Sequence, residues 1–304
     1  MNAALRAVIR TALTMQIEVV GVSHGYKGLI TGQYRPLGST SVSNIVQRGG
    51  TFLKSARSEE FRTASGRVLA YQSMEAAGIE GLIVIGGDGS FTGANLFSKE
   101  HGVPVVGVPA TIDNDLMGTD YTIGYDTALN TATEAIDKIR DTADAHERLF
   151  LVEVMGRNSG FIALETGIAS GAELILLPEQ VTEVEEARAN LKGILKEHRR
   201  SSLVVVAEGD ETGGALKLAE QLQDEFSQYE MRVCILGHIQ RGGSPSARDR
   251  VLASRLGAEA VKQLHEGNSR VMVGIVDGQM KITPIEEAIS GRKPIDFDLI
   301  ELYK

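Results

Sequence analysis

The chain has 304 residues, a formal net charge of −9 at pH 7, one cysteine and no tryptophan. The acidic balance and the 5% aromatic content argue against a nucleic-acid binder, and one cysteine excludes internal disulfides and most cysteine metal sites. Neither a membrane-length apolar run nor a signal peptide is evident, so we expect a cytoplasmic protein. Glycine (34) and arginine (20 of the 31 cationic side chains) are abundant, a combination that suits phosphate binding.

In chain order, short apolar runs alternate with segments of helical spacing. The runs predicted as strands are Ile17–Val22, Gly81–Ile85, Val103–Val108, Leu149–Val154, Glu173–Leu177, Ser201–Ala207, Met231–Leu236 and Arg270–Val276. The segments predicted as helices are Phe91–Lys99, Tyr125–Asp141, Val181–Lys196, Ala215–Phe226 and Arg250–His265. Because the runs are continuously apolar, we expect a doubly wound α/β fold with mainly parallel sheets covered by helices on both faces. Ligands of such folds bind at the carboxyl ends of the strands, so the loops after the runs are candidate sites.

The run that ends at Ile85 is followed by Gly86-Gly87-Asp88-Gly89-Ser90 and then by a helical segment. Glycines allow close approach of a ligand to the backbone, and a helix N-terminus offers free N–H groups to an anion. Asp88 could hold Mg²⁺ against phosphate oxygens. The alternative is an ordinary strand–helix turn with Ser90 as the helix N-cap.

The next run is followed by TIDND at 111–115, in which one threonine and two aspartates lie within five residues. Asp113 could accept a proton from a substrate hydroxyl, and Asp115 could hold a metal or orient its neighbour. The alternative is a polar turn without a chemical role.

Further arginines lie at or near the ends of predicted strands or after the Gly49-Gly50 pair, and two of them directly adjoin a glycine. They are Arg57, Arg148, Arg157, Arg232 and Arg241. Taken singly, each is more typical of an exposed surface cation or half of a salt bridge. Taken together, they match the bidentate recognition of phosphate, which arginine performs better than lysine.

These motifs together resemble one family, the bacterial-type ATP-dependent 6-phosphofructokinases. The strings that carry the resemblance are GGTFL at 49–53, GGDGS at 86–90, TIDND at 111–115, GTDYTIG at 118–124, EVMGR at 153–157 and LGHIQRGGSP at 236–245. The resemblance implies two doubly wound lobes with the substrate in the cleft between them. Residues 1–124 with 241–290 would hold the nucleotide, and 125–240 with 291–304 the sugar phosphate.

The activity implied by the resemblance is the Mg²⁺-assisted transfer of the ATP γ-phosphoryl group to the 1-hydroxyl of fructose 6-phosphate, a step of glycolysis. The catalytic residues would be Asp113 as general base, Thr111, Arg157 and Arg57. The nucleotide would lie along Arg57, Gly87, Asp88, Gly89 and Ser90, with Mg²⁺ on Asp88. Fructose 6-phosphate would contact Thr111, Asp113, Asp115, Met155, Gly156, Arg157, Glu208, His238 and Arg241.

The resemblance also implies a homo-oligomer, typically a tetramer, with allosteric regulation. Arg148 and Arg232 match arginines that reach the sugar phosphate bound to a neighbouring subunit. The residues on or near positions for a nucleotide or phospho-metabolite effector are Arg6, Arg10, Arg140, Glu173, Arg199 and Arg200.

Two alternatives remain open at the level of sequence. A pyrophosphate-dependent phosphotransferase typically carries Asp in place of Gly89 and Lys in place of Ala110, so ATP is the favoured donor here. Family members also open with a strand and a Gly-Gly-Asp loop before the Met-Asn-Ala that begins this sequence. Their absence indicates either a start assigned too far downstream or a truncated chain, which we favour because the downstream catalytic positions are all present. The other interpretation is a non-catalytic, nucleotide-binding regulatory subunit.

Overall fold

The computed structural model describes residues 1–143, 148–180, 184–196, 202–296 and 298–299. The contacts between residues divide the chain into two compact units. The first comprises Met1–Thr111, Asp115–Gly124 and Ser244–Lys293, and the second comprises Ile112–Asn114, Tyr125–Gly243 and Pro294–Lys304.

Strands and helices alternate along most of the chain. The strands are β1 (Val20–Val22), β2 (Tyr34–Pro36), β3 (Leu82–Gly86), β4 (Val105–Pro109), β5 (Arg148–Val154), β6 (Leu174–Leu176), β7 (Ser202–Ala207), β8 (Glu230–Ile235), β9 (Val271–Val276) and β10 (Gln279–Pro284). The α-helices are α1 (Asn2–Thr14), α2 (Gly25–Ile30), α3 (Glu59–Arg62), α4 (Ala64–Ala76), α5 (Asp88–His101), α6 (Tyr125–Ala143), α7 (Phe161–Ala169), α8 (Val184–Lys196), α9 (Ala215–Leu222), α10 (Ala247–His265) and α11 (Ile285–Ser290). Short 3-10 helices span Ser39–Val42 and Gly237–Arg241.

The first unit is built on a four-stranded sheet in the order β10-β9-β4-β3. Strands β3, β4 and β9 are parallel, and all five residues of β4 are buried. Val105 belongs to the apolar cluster that contains Phe91 of α5. Val106 and Val108 belong to another cluster, which contains Leu256 of α10. Apolar side chains therefore cover both faces of this strand, as its continuous apolar run predicts.

The second unit holds a four-stranded, fully parallel sheet in the order β6-β7-β5-β8. All six residues of β7 are buried. The prediction that every run lies buried on both faces is wrong for β8, where none of the six residues is fully buried. This strand lies at an edge of the sheet, and its Met231 and Val233 side chains pack against the apolar cluster that contains Leu149. The predicted doubly wound α/β class is confirmed by the parallel sheets of both units.

Two strand predictions differ from the structure of the first unit. The run Ile17–Val22 forms a strand only at its end, where β1 pairs antiparallel with β2 in a separate two-stranded sheet. Strand β10 was not predicted, although β9 and β10 form a hairpin closed by Asp277 and Gly278. Both turn residues have positive φ, of 50° and 76°. An Asp-Gly pair between two strands is the sequence signal for such a turn and could have identified β10.

Several helices begin or end at other residues than predicted. Helix α5 begins at Asp88 rather than Phe91, with Gly87 at the N-cap, so the GGDGS string forms its first turn. The interpretation of Ser90 as N-cap is therefore wrong. Helix α10 begins at Ala247, because the Ser246 side chain accepts a hydrogen bond from the Asp249 N–H and caps it. Helix α9 ends at Leu222 rather than at Phe226. The first three residues of the predicted helix Val181–Lys196 lie outside the described part of the chain. Among the described residues, no helix combines the length and apolarity needed to cross a membrane.

A charged pair ties α4 to α5 in the first unit. The guanidinium of Arg67 donates two hydrogen bonds to the Glu100 carboxylate, at 2.6 and 2.7 Å. It also donates to the carbonyl oxygens of Phe61 and Arg62, at 3.1 and 2.8 Å. Because only 8% of the Arg67 side chain is exposed, these contacts are largely shielded from water.

We expect Arg67→Met to lower the free energy of unfolding by about 2 kcal/mol, because it leaves a carboxylate and two carbonyls without their donor. The matched control is Arg62→Met, whose side chain is 77% exposed and pairs only with exposed Glu59 along the helix. Arg67 also holds the pKa of Glu100 below its usual value. The stabilisation is therefore present at neutral pH and falls as pH drops through that lowered pKa. Urea unfolding of both variants measures the effect, and equal losses would contradict the role of this pair.

Candidate active site

In the first unit, the GGDGS string places three backbone N–H groups at the N-terminus of a helix. Asp88, Gly89 and Ser90 form the first turn of α5, where N–H groups lack partners within the helix. Asp88 and Gly89 are exposed, and a Cβ added at Gly89 would meet no atom within 4 Å. This turn therefore offers an open, electropositive helix end to an anionic ligand.

Thr111 lies against the same turn. The Ala110 N–H donates to the Gly86 carbonyl at 2.9 Å, which extends the β3–β4 pairing beyond Pro109. A Cβ at Gly87 would lie 3.2 Å from the Thr111 Cβ. The structure thus brings Thr111 next to the GGDGS turn. Asp115 is half-buried in the same unit, and Arg57 is exposed on the segment between Lys54 and Ser58.

Asp88 is the residue predicted to bind Mg²⁺. The described residues contain no group of three or more His, Cys, Asp or Glu side chains that could enclose a metal ion. Mg²⁺, however, is commonly bound by one or two carboxylates together with water and substrate phosphates. An exposed carboxylate in the first turn of a helix fits this mode, in which phosphate groups of a ligand and water would supply most of the oxygens around the metal.

In the second unit, the loop after β5 has an unusual backbone. Gly156 has φ of +149°, and a Cβ there would lie 2.2 Å from the Ser159 carbonyl oxygen. Arg157 adopts a left-handed conformation with φ of 55°, which is uncommon for a non-glycine residue. Gly209 packs so closely that a Cβ would lie 1.7 Å from the Arg157 carbonyl oxygen. The two glycines allow this loop to pack tightly on the segment that follows β7.

Side chains from the neighbouring strands hold this loop. Glu208 directly follows β7, and its carboxylate accepts hydrogen bonds from the N–H groups of Arg157 at 2.7 Å and Gly156 at 3.4 Å. Buried Gln240, after β8, accepts from the Met155 N–H at 3.2 Å. Strands β5, β7 and β8 are parallel neighbours, so their carboxyl ends bring these groups to one edge of the sheet.

Asp113 is packed into the second unit, beside this loop. It is 5% exposed, and its Oδ2 lies 3.6 Å from Nε of Arg157. The Ser159 hydroxyl donates to the Asp113 carbonyl at 2.8 Å. The Arg157 side chain is 55% exposed, so its guanidinium can reach a ligand while it lies beside the carboxylate. A buried carboxylate next to a cation is suited to accept a proton from a hydroxyl whose oxygen attacks an electrophile.

The exposed residues His238 and Arg241 lie in the 3-10 helix after β8, at the same end of the sheet as Gln240. Arg148 and Arg232 lie near the opposite end. Arg148 opens β5 and pairs in register with Glu230, which opens β8. The seven residues of β5 place Arg148 roughly 20 Å from the loop at Met155. One chain therefore does not bring Arg148 to the rest of the candidate site.

Glu230 links those two arginines. Its carboxylate accepts from Nε of Arg148 at 2.6 Å and also from the Arg232 guanidinium. Mainly the Arg148 hydrogen bond, and to a lesser extent Arg232, hold the pKa of Glu230 below its usual value.

The residues predicted for an effector are distributed over both units. Arg6 and Arg10 lie on α1 in the first unit. In the second unit, Arg140 donates to Glu173 at 3.0 Å and to the Ser170 and Gly171 carbonyls at the end of α7. Glu173 also accepts from the Leu203 N–H at 2.7 Å. Arg199 and Arg200 lie outside the described residues.

Among the residues that contact predicted site residues, Ser159, Gln240 and Glu230 are not themselves predicted from the sequence. Gln240 lies inside the LGHIQRGGSP string, and a polar residue among predicted ligand contacts was its only signal. Ser159 and Glu230 carry no motif of their own, because their contacts depend on the fold and on the register of β5 and β8.

Comparison with known proteins gives consistent results. The phosphofructokinase family pattern matches residues 1–264. The chain is 56% identical over 302 residues to ATP-dependent 6-phosphofructokinase 1 of Thermus thermophilus, covering 99% of this chain and 94% of that protein. It is 54% identical over 304 residues to ATP-dependent 6-phosphofructokinase 2 of Bacteroides thetaiotaomicron, covering 100% and 93% of the two chains. A solved structure of phosphofructokinase from Saccharomyces cerevisiae matches 95% of this chain with a TM-score of 0.90 and 34% identity, and the match spans 43% of that longer chain. Over nearly its whole length, the chain belongs to the phosphofructokinase family.

Proposed function

We propose that the protein is an ATP-dependent 6-phosphofructokinase, which forms fructose 1,6-bisphosphate and ADP from fructose 6-phosphate and ATP. The observation that carries this proposal is the buried Asp113 carboxylate 3.6 Å from the Arg157 guanidinium, in the segment that follows β4. The relatives at 50–56% identity that bear this enzyme name support it. Both proposed substrates are cytoplasmic metabolites, so we propose the cytoplasm as the site of action.

In the proposed reaction, Asp113 accepts the proton of the sugar 1-hydroxyl as the oxygen attacks the γ-phosphorus. The new bond joins O1 to the γ-phosphorus, and the bond between that phosphorus and the β–γ bridging oxygen breaks. ADP leaves with the electron pair, and the proton on Asp113 passes to solvent. Arg157 offsets negative charge on the transferring group, the task for which preorganised cations are most effective.

The donor groups are proposed from the first unit. The N-terminal turn of α5 would bind the nucleotide phosphates, Arg57 would lie along them, and Thr111 would contact the reacting end. Asp88 would hold Mg²⁺, which, when bound, offsets phosphate charge and orients the donor. These assignments are supported by the open helix end at Gly89 and the contact between Thr111 and the GGDGS turn.

The acceptor groups are proposed from the second unit. Fructose 6-phosphate would bind along the 155–157 loop, with Glu208, His238 and Arg241 around the sugar and its phosphate, and with Asp115 near the reacting end. Arg148 and Arg232 would serve the site of a neighbouring subunit, because roughly 20 Å of β5 separates Arg148 from the loop in its own chain. We therefore propose a homo-oligomer, with a tetramer as the expected state.

Effector contacts are proposed for Arg6 and Arg10 of the first unit and for Arg140 and Glu173 of the second. Arg199 and Arg200, outside the described residues, are proposed for the same role. A nucleotide or phospho-metabolite is the expected ligand, since most of these side chains are guanidinium groups.

The assay that tests the function supplies fructose 6-phosphate and Mg²⁺ with either ATP or pyrophosphate, and couples fructose 1,6-bisphosphate to NADH oxidation. We expect turnover with ATP and little with pyrophosphate. Faster turnover with pyrophosphate would overturn the donor assignment. No product with either donor, from protein that binds nucleotide, would favour a regulatory subunit.

Gly89→Asp should lower kcat/KM for ATP at least tenfold, because a carboxylate would stand in the space open to the nucleotide phosphates. The fold should tolerate the change, since a Cβ at Gly89 meets nothing within 4 Å and its φ is not left-handed. Gly193→Asp is the matched control, because Gly193 is also a helical glycine with open space beside it. Steady-state kinetics with ATP measure both variants, and an equal effect of the two changes would contradict the donor site at Gly89.

A further inference from the structure

The GTDYTIG string at 118–124 contributes none of the proposed ligand contacts. Two of its last three residues nevertheless bind groups at or just after the end of β4, and the third binds a side chain of α10. The Thr122 hydroxyl donates to the Thr111 carbonyl at 2.6 Å, and Thr122 is fully buried. The Ile123 N–H donates to the Pro109 carbonyl at 3.0 Å. The Gly124 N–H donates to Oδ1 of Asp249 at 2.8 Å.

The groups that hold the two residues after Thr122 belong to buried parts of the first unit. Asp249 is 1% exposed and lies in the first turn of α10, which Ser246 caps. The carbonyl that accepts from the Ile123 N–H belongs to Pro109, the last residue of β4, and all residues of this strand are buried. The two residues that follow Thr122 are therefore held by backbone hydrogen bonds, which keep the Thr122 hydroxyl beside the Thr111 carbonyl.

Fixing the Thr111 carbonyl constrains the residues that follow it. The carbonyl belongs to the planar peptide between Thr111 and Ile112, so its direction also sets the direction of the Ile112 N–H. Only the backbone torsions of Ile112 then separate this fixed plane from the peptide that enters Asp113. The same bond keeps Thr111 against the GGDGS turn, where its Cβ would lie 3.2 Å from a Cβ at Gly87.

We propose that Thr122 is a positioning residue for the transfer reaction, acting through the Thr111 peptide to set the placement of Thr111 and Asp113. This inference rests on the proposed function. Thr122 itself touches no substrate, because its side chain is fully buried. Its loss should therefore lower kcat while leaving the KM values for ATP and fructose 6-phosphate nearly unchanged.

The test is Thr122→Val, which keeps the side-chain volume and removes the hydroxyl. Its matched control is Thr119→Val in the same string. Thr119 is 2% exposed, and its hydroxyl donates to the Tyr121 carbonyl at 3.0 Å and accepts from the Ile275 N–H at 3.2 Å. Both changes remove a buried hydroxyl, so both should lower Tm. Only Thr122→Val should lower kcat, by roughly 10- to 50-fold, since small displacements of reacting groups have effects of this order.

Thr122→Ser should recover most of kcat, because it restores the hydroxyl without the methyl group. If Thr122→Val is too unstable for assay, Thr122→Cys retains the approximate size with a weaker donor and should lower kcat in the same direction. A kcat within threefold of wild type in the folded variant would overturn the inference, as would a rise in KM with kcat unchanged. A wild-type protein without activity would instead overturn the proposed function, so the two failures are distinguishable.

Discussion

Asp113→Asn should lower kcat by roughly 10²- to 10⁴-fold, the usual contribution of a positioned general base. Asparagine retains the size of the side chain and its place beside Arg157, but its amide accepts no proton from the sugar hydroxyl. Binding of both substrates should persist, because the backbone of the loop at 155–157 is held by the Glu208 and Gln240 side chains, which the substitution leaves in place. Steady-state kinetics and isothermal titration with fructose 6-phosphate measure the two properties separately.

The matched control for Asp113→Asn is Asp210→Asn in the same unit. Asp210 is also 5% exposed, and its Oδ1 accepts hydrogen bonds from the Thr212 N–H and hydroxyl. Asparagine can still accept both bonds, so this variant should retain most of the wild-type kcat. A kcat of the Asp113→Asn variant close to the wild-type value would contradict the assignment of Asp113 as the general base.

The double variant Arg148→Met with Arg232→Met should lower kcat/KM for fructose 6-phosphate by roughly 10²- to 10³-fold while leaving KM for ATP nearly unchanged. The physical reason is the loss of two guanidinium groups from a sugar phosphate, where each charge-assisted hydrogen bond contributes about 1.5–3 kcal/mol. The decrease in kcat/KM should arise in the site of the neighbouring subunit, because Arg148 lies roughly 20 Å from the 155–157 loop of its own chain.

A mixing experiment separates this prediction from a loss within one chain. Hetero-oligomers of Asp113→Asn subunits and Arg148→Met/Arg232→Met subunits contain sites with a wild-type base and wild-type arginines from the neighbour. We expect activity well above that of either parent after refolding or co-expression of the mixture. Activity no greater than the sum of the parents, in oligomers shown to be mixed, would place both arginines in the site of their own chain.

The groups at the carboxyl ends of the strands could be predicted from the sequence because a parallel sheet brings those ends together. Glu208 directly follows one apolar run and Arg157 is the third residue after another, so the sequence alone assigns both to candidate loops. The hydrogen bond between Glu208 and the Arg157 N–H could not be predicted, since it requires β5 and β7 to be neighbours.

Other contacts of the candidate site residues depend on strand pairing and on the fold, which the sequence alone does not determine. Arg148 precedes one run and Arg232 is the second residue of another, which assigns them to the starts of strands. Their common partner Glu230 follows from the register between β5 and β8, which the runs do not encode. The contact of the buried Thr122 hydroxyl could not be predicted either, because 11 positions separate Thr122 from Thr111, whose carbonyl it binds.

The most direct test of the account is phosphorus and carbon NMR of fructose 6-phosphate incubated with the protein, Mg²⁺ and ATP. We predict that fructose 1,6-bisphosphate and ADP form in equal amounts, with the new phosphate on carbon 1. Formation of ADP with unchanged sugar phosphate, or a new phosphate on another carbon, would contradict the proposed transfer.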